Sequence, residues 1–384
     1  MKKALTLALA TTLTGATLSA QAQITLDGII SANEIGAAGG QYASLGAFTT
    51  PHVAGVGFGM FGLLRMYGAN SGTKLYVALA GSVEPSGNNF QLYMDLPNRT
   101  GVPVGTALPN VAGTSTVFGT VSATQGIGGT KLELEADAAI ATTGLGDVQA
   151  AIYTGTTAVA QSLGGGSAIY TDGTPNPLPG SATTGVYSLF AGTRVAYKAP
   201  TGDISTNPGN ANGGGAGSYA LEYEFNRASL GLPSGASIVR LMAGQVSPDA
   251  FWSSDVIPEV TGNGNNNLGF KPDFTALGGT QAAALNVVVL SNRQAEDAVV
   301  AMSIFPNPSQ GESTVSYQVQ SGSQAVAVRV TDLLGRPVRT LLTGKQSAGF
   351  HELKVDMNSL SAGIYLVQVQ VGDKAATRRL EVTR

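Results

Sequence analysis

The chain contains no cysteine, two histidines and one tryptophan, and only 12% of its residues are charged, about half of the ~25% usual in soluble domains. Without cysteine there is no disulfide staple, no thiol nucleophile and no cysteine-ligated metal, so stability has to come from an apolar core. Histidine chemistry is confined to His52 in the body and His351 near the C-terminus. No G-x-S-x-G elbow accompanies His52, and Pro51 before it reads as extended loop, so a Ser-His-Asp hydrolase is not expected. No stretch reaches the ~20 apolar residues of a membrane helix, and no membrane span is expected in the mature chain. Basic clusters are missing too. Setting aside Lys2 and Lys3, the residues up to Met302 carry ten basic and 18 acidic side chains (net −8), and those after it nine and six (net +3). That is no nucleic-acid footprint.

What the chain does have is 52 glycines and a hydrophobic content of 43% over 384 residues. That suits two or three domains of extracellular β protein with a polar but weakly charged surface, and is too apolar for wholesale disorder. Residues 1–22 read as a secretory signal: Lys2 and Lys3, an apolar run from Ala4 to Ala10 extended through Leu13 and Leu18, then Ala20-Gln21-Ala22. Cleavage is expected between Ala22 and Gln23, after passage through the Sec export machinery. The rival, a retained anchor, is disfavoured by the threonines that interrupt the run.

The body, residues 23–290, reads as short strands between long Gly/Thr/Asn-rich loops. Ile24 to Ile30 is a strand and turn. Lys74–Ala80 and Phe90–Met94, joined by a turn with Pro85, Gly87, Asn88 and Asn89, are expected to form a hairpin. Lys131–Asp137 alternates as a strand with one wet face, and Val148–Tyr153 is its expected neighbour. Thr154–Thr184 and Pro200–Gly217 read as long loops. Tyr219–Phe225, Ile238–Ala243 and Leu285–Leu290 complete the strands, and residues 291–302 form a polar linker.

The last stretch, residues 303–384, alternates with period two at Val315, Tyr317, Val319, at Val326, Val328, Val330 and at Val367, Val369, Val371. Breakers at Pro306, Pro308, Asp332, Gly335, Gly344, Gly349 and Gly363 give the pitch of a small antiparallel, Ig-like β-sandwich. The ordered series Ile304-Phe305-Pro306-Asn307-Pro308, Asp332-Leu333-Leu334-Gly335-Arg336, Gly349-Phe350-His351 and Leu360-Ser361-Ala362-Gly363-Ile364-Tyr365 resembles the type A sorting domain of the type IX secretion system. That resemblance implies an exported protein of a Gram-negative bacterium. The tail would be read by the outer-membrane secretion machinery, and the protein then released or attached to surface glycolipid. More faintly, Ile24–Gly28 with Glu34, Leu75–Val77 leading to Leu92–Asp95, and Tyr219–Phe225 with Leu230 resemble the β-sandwich modules grouped with family 9 carbohydrate-binding modules.

Among residues that could carry chemistry, Gly57–Gly62 fits G-x-G-x-x-G, but no βαβ unit surrounds it, so it reads as a Gly-rich loop. Glu133 with Glu135, and Glu222 with Glu224, fall on one face of a strand about 6–7 Å apart. Such pairs suit acid–base work or calcium, or simply a solvated sheet face. Phe251 and Trp252, ahead of the Asn-rich loop 262–267, are candidate ligand-binding residues, half of a sugar platform; alternatively Trp252 anchors the core. The chain is therefore expected to be an all-β exported protein, a β-sandwich body followed by a sorting sandwich. It is expected to have no catalytic set and no cofactor, with metal binding left open. A carbohydrate-binding module is the alternative, and a glycoside hydrolase the remote third.

Overall fold

The computed structural model describes residues 24–36, 40–52, 61–164, 171–200, 204, 213–232, 236–287, 302–332, 335–356, 358–372 and 374–383. The signal with its Ala22–Gln23 junction, the linker apart from Met302, and Gly57 and Gly59 lie outside the described residues. The chain divides into two compact units, Met1–Val288 and Val289–Arg384. Both are built of antiparallel strands, and among the described residues no helix is long and apolar enough to cross a membrane.

The strands of the first unit are β1 (Ala43–Ala47), β2 (Gly62–Ser71), β3 (Lys74–Ser82), β4 (Asn89–Asp95), β5 (Ala138–Thr143), β6 (Val148–Thr154), β7 (Thr157–Ser162), β8 (Asn176–Pro177), β9 (Arg194–Tyr197), β10 (Ala220–Asn226), β11 (Ser237–Val246), β12 (Phe251–Ile257), β13 (Gly269–Phe270) and β14 (Ala283–Val287). One sheet runs β1-β2-β3-β10-β9-β8; the other runs β13-β12-β11-β4-β5-β6-β7, with β14 also on β11. Leu75, Val77, Leu79, Leu221, Tyr223 and Phe225 from the first meet Phe90, Leu92, Met94, Ile140 and Leu241 from the second in one core. Full burial of each such side chain contributes roughly 1.5–3 kcal/mol.

Both outer faces are covered as well. A strap formed by residues 24–36 and 40–42 lays Ile24, Ile30 and Tyr42 over Tyr67, Tyr76, Ala78 and Ala220. On the other side the long segment 97–137 and part of 258–282 bring Val102, Phe118, Leu134 and Phe274 onto Tyr93, Ala139, Ala151, Tyr153 and Trp252. The unit thus has four layers: β3, β4, β5, β6 and β10 are covered on both faces, while β7, β14 and the start of β11 keep exposed side chains.

That layering corrects three expectations. Lys74–Ala80 and Phe90–Met94 do not pair as a hairpin, because β3 and β4 belong to different sheets and face each other across the core. The connector 83–88 has to span only the roughly 10 Å between packed sheets. Lys131–Asp137 alternates as foreseen but serves in the covering layer, joined by single bridges such as Val102↔Ala136, and Asp137 is buried rather than wet. Val148–Tyr153 therefore pairs with β5 instead. Finally, Thr154–Thr184 is not all loop, since β7 lies within it.

The second unit holds β15 (Ser303–Phe305), β16 (Glu312–Thr331), β17 (Pro337–Asp356), β18 (Gly363–Val371) and β19 (Lys374–Val382). They form one five-stranded antiparallel sheet, β15-β16-β18-β19 with β17 on β16. The register of β16 with β17 breaks between Val319 and Ser323. Across that break the inward positions change parity, from Val315, Tyr317 and Val319 to Val326, Val328 and Val330, yet all six join one core with Val367, Val369 and Leu380. The hairpin is bent over itself: Arg339 Nη1 reaches the Asp356 carbonyl, 2.8 Å away, and Ser359 Oγ, 3.0 Å away. A sandwich-like core therefore comes from a single bonded sheet. Gly344 and Gly349 do not end strands; they lie within β17, opposite Val326 and Val319.

Candidate functional site

In the second unit most of the motif residues have definite structural jobs. Asn307 extends its side chain along β19, donating from Nδ2 to the Arg379 carbonyl (2.7 Å) and accepting from the Glu381 amide (2.9 Å). Ser309 continues the pairing through the Glu381 carbonyl. The segment that includes Pro306 and Pro308 thus covers the edge of β19, and Ser313 Oγ donates to the Pro306 carbonyl. Asp332 builds the turn into β17, accepting from the Arg336 amide (2.9 Å) and Arg336 Nε (2.6 Å), with Gly335 at φ 79°. His351 stacks on Tyr317, centroids 5.5 Å apart, and bonds the Ser347 carbonyl at the bend, next to Gly349. Leu360 is in the core, Gly363 opens β18, and Tyr365 donates to the Ser361 carbonyl.

In the first unit a cleft of about 510 Å³ is lined by Thr49, Thr50, Glu259, Thr261, Gly262 and Gly264. Its walls are tied by Glu259, whose carboxylate accepts from the amide and hydroxyl of Thr49 (2.9 and 2.6 Å) and of Thr50 (3.3 and 3.0 Å). Asn265 Nδ2 donates to the Pro51 carbonyl from the other side. Next along the chain, His52 Nε2 stands 2.7 Å from Asp255 Oδ2, with the ring against Phe48. Asp255 is buried and also accepts from the Leu63 amide and Ser254 Oγ. His52 is thus packed against β12 rather than standing in an open extended loop.

The paired carboxylates do not act as pairs. Glu133 and Glu135 accept from the Gln281 and Gly101 amides respectively, pinning the covering segment. Glu222 and Glu224 are buried, not solvated, because the strap covers their face of β10. Glu222 Oε2 accepts from the amides of Asp27 (3.0 Å) and Gly28 (2.6 Å), and Oε1 from the Tyr42 hydroxyl (2.7 Å). Burial pushes its carboxyl up to about 8 against those three donors. Two residues on, burial also pushes Glu224 up, but Arg194, at 3.0 and 2.6 Å, and Lys74, at 3.1 Å, outweigh it and hold the group below its ordinary value. Neighbours on one strand face have opposite shifts because only one has cations beside it.

Trp252 is no platform. It is 0% exposed, stacked on Tyr93 at 5.9 Å and edge-on to Phe274 at 5.1 Å, over Gly244, where any Cβ would meet the indole at 2.7 Å. Strand alternation turns Phe251 the other way, onto Phe270 of the edge strand β13, centroids 5.1 Å apart, and Phe270 is 37% exposed. The cleft and the Glu259 clamp were missed because Thr49-Thr50 and Glu259 lie about 210 residues apart and carry no motif.

A search of curated proteins returns no match. Among solved structures the chain is similar to dimeric latent PorU from Porphyromonas gingivalis at 12% identity, covering 85% of this chain and 33% of that one, with a TM-score of 0.20. It is also similar to the BSP domain of a biofilm associated protein (8% identity, 89% and 52% covered, TM-score 0.18) and to a putative beta-galactosidase from Bacteroides fragilis (11%, 88% and 34%, 0.16). The chain thus spans about a third to a half of these structures. Residues 303–383 match the family described as the secretion system C-terminal sorting domain, in agreement with the resemblance carried by their motifs.

Proposed function

We propose that the sorting domain delivers this chain to the cell surface or the medium, and that its first unit works there as a non-enzymatic module that binds a polar partner. The match over residues 303–383 supports the export half of this reading. The non-enzymatic half rests on how the body uses its acids: Glu133, Glu135, Glu222, Glu224, Asp255 and Glu259 each hold backbone amides, hydroxyls or cations of their own fold. A carboxylate committed in this way is not poised to trade protons with a substrate. In native cells, removal of residues 303–384 is expected to leave the chain in the periplasm. Purified full chain is expected to leave a panel of polysaccharides and peptides uncut; turnover of any of them, abolished by a substitution in the body, overturns the non-enzymatic half.

A second reading, carbohydrate binding, is favoured by the cleft, whose hydroxyl and carboxylate lining suits a hydroxyl-rich ligand. Glycan retention on immobilised full chain that is lost in Thr261→Val, with melting unchanged, supports it; retention unaffected by that change removes the cleft from consideration.

A further inference from the structure

The strap adds little regular structure to the sheet it covers. Its backbone ties are few: Ile30 to the Ser218 carbonyl (2.9 Å), the Gly217 amide to Ile30 (2.8 Å), and the Ala220 amide to Gly28 (2.8 Å). At the middle of this seam stands the Glu222 carboxyl, 0% exposed, the hub for Asp27, Gly28 and Tyr42 at once. Gly28 is at φ 73°, and a Cβ there would meet the Lys198 backbone at 2.4 Å, so the strap is pressed against the sheet at this residue.

The titratable groups around the hub are of the wrong sign to neutralise a charge on it. From the strap come Asp27, Glu34 and Tyr42, and Glu34 is itself a buried acid that accepts from the Thr25 and Ser31 amides. The sheet adds Tyr67 from β2, Tyr76 from β3 and Glu224 from β10. The nearby cations are used elsewhere: Arg194 and Lys74 on Glu224, Arg65 on the Gly213 carbonyl and Ser44, Lys198 on the Asp172 carbonyl. Among the described residues no ion pair reaches Glu222.

We propose that the strap is a proton-dependent clasp: a protonated Glu222 holds it on the six-stranded sheet, and loss of that proton releases it while the sandwich behind stays folded. A neutral carboxyl keeps the two amides on Oε2 and, with its proton on Oε1, reverses the bond to Tyr42 so that the carboxyl O–H donates to the phenol oxygen. An ionised one is a buried charge facing Glu34 with no cation, which the local structure relieves most cheaply by opening. The upward displacement of Glu222 by burial has the same direction.

The experiment is amide hydrogen exchange on the full chain, expressed as protection factors so that intrinsic pH dependence cancels. From about pH 6 the Gly28 and Ile30 amides are expected to lose up to roughly tenfold in protection per pH unit, levelling off above about pH 8, while Val77 and Leu92 in the core stay protected. In Glu222→Gln the strap should remain protected at both pH values. Should that variant misfold, Tyr42→Phe, which removes a donor to the ionised form, is expected to move the midpoint to higher pH. Strap protection independent of pH in the wild type, or a loss shared equally with the core, overturns the proposal.

Discussion

The single tryptophan offers the most direct test of the layered body. Replacing Trp252 by alanine empties a site between Tyr93, Phe274 and Gly244 that is closed to solvent. Removing a buried Trp costs roughly 3–5 kcal/mol, and each lost aromatic pair adds about 0.5–1.5 kcal/mol to what area alone would give. For a unit of this size each kcal/mol lowers the melting temperature by about 2–4 °C, so the first unit should melt on the order of 10 °C lower. Phe251→Ala is the control on the same strand: half-buried and ring-paired with Phe270 at the edge, it should cost about 1 kcal/mol. The readouts are thermal unfolding of both variants by circular dichroism and iodide quenching of wild-type tryptophan emission. Emission that iodide quenches freely, or a Trp252→Ala variant melting with the wild type, would refute the buried placement and restore the indole as a surface group.

Three further outcomes follow from the geometry. Val328→Asp places a charge among the valines of the second unit and should unfold that unit, seen as loss of its protease resistance in the full chain while the first unit stays resistant. Asn307→Ala removes both bonds to β19 and should cost that unit about 1 kcal/mol, read as faster exchange at the Glu381 amide. Burial raises Asp137 to about 6, although the Leu96 amide opposes this. Because the folded value lies above the unfolded one, its contribution is fully present below about pH 4 and is lost as pH rises through 6, a loss on the order of 2 kcal/mol. Asp137→Asn should therefore lose less stability than wild type between about pH 4 and about pH 7.5 in urea titrations.

The tail was largely legible because its valines alternate and its motif residues are local: the Asp332–Gly335 turn and the period of β18 can be read without knowing any partner. Its bend was not, since Gly344 and Gly349 look like turns and only the β16 register shows that the strand runs through. In the body, β10 and β11 announced themselves, whereas β2, β5, β9 and β12 did not. A strand covered on both sides, such as Ala138–Thr143, has no polar face to alternate with, so the period that marks a half-buried strand vanishes. The same covering made Glu222 and Glu224 look like surface decoration. Nothing within ten residues of them announces that Asp27, Gly28 and Tyr42 will be laid on top. The Trp252 question could be posed from sequence, core anchor or platform, but its answer depended on which side of β12 faces the 97–137 layer.

Neither sheet of the body can be completed by neighbouring parts of the chain. Strand β3 finds its partner in β10 and β4 finds its partner in β11, each across roughly 150 residues, while most of the intervening chain serves as cover or as the far edge. Pairings so distant are slow to form, because loop closure precedes any reward from contact. A chain emerging N-terminus first presents β1–β3 and the β4–β7 meander long before residues 220–246 exist, and during that interval each is a partial sheet without the strand that extends it and seals the core. The topology therefore delays closure of the body's two sheets until the chain has been made as far as Val246, and until then the polypeptide keeps the slack of an incompletely folded chain.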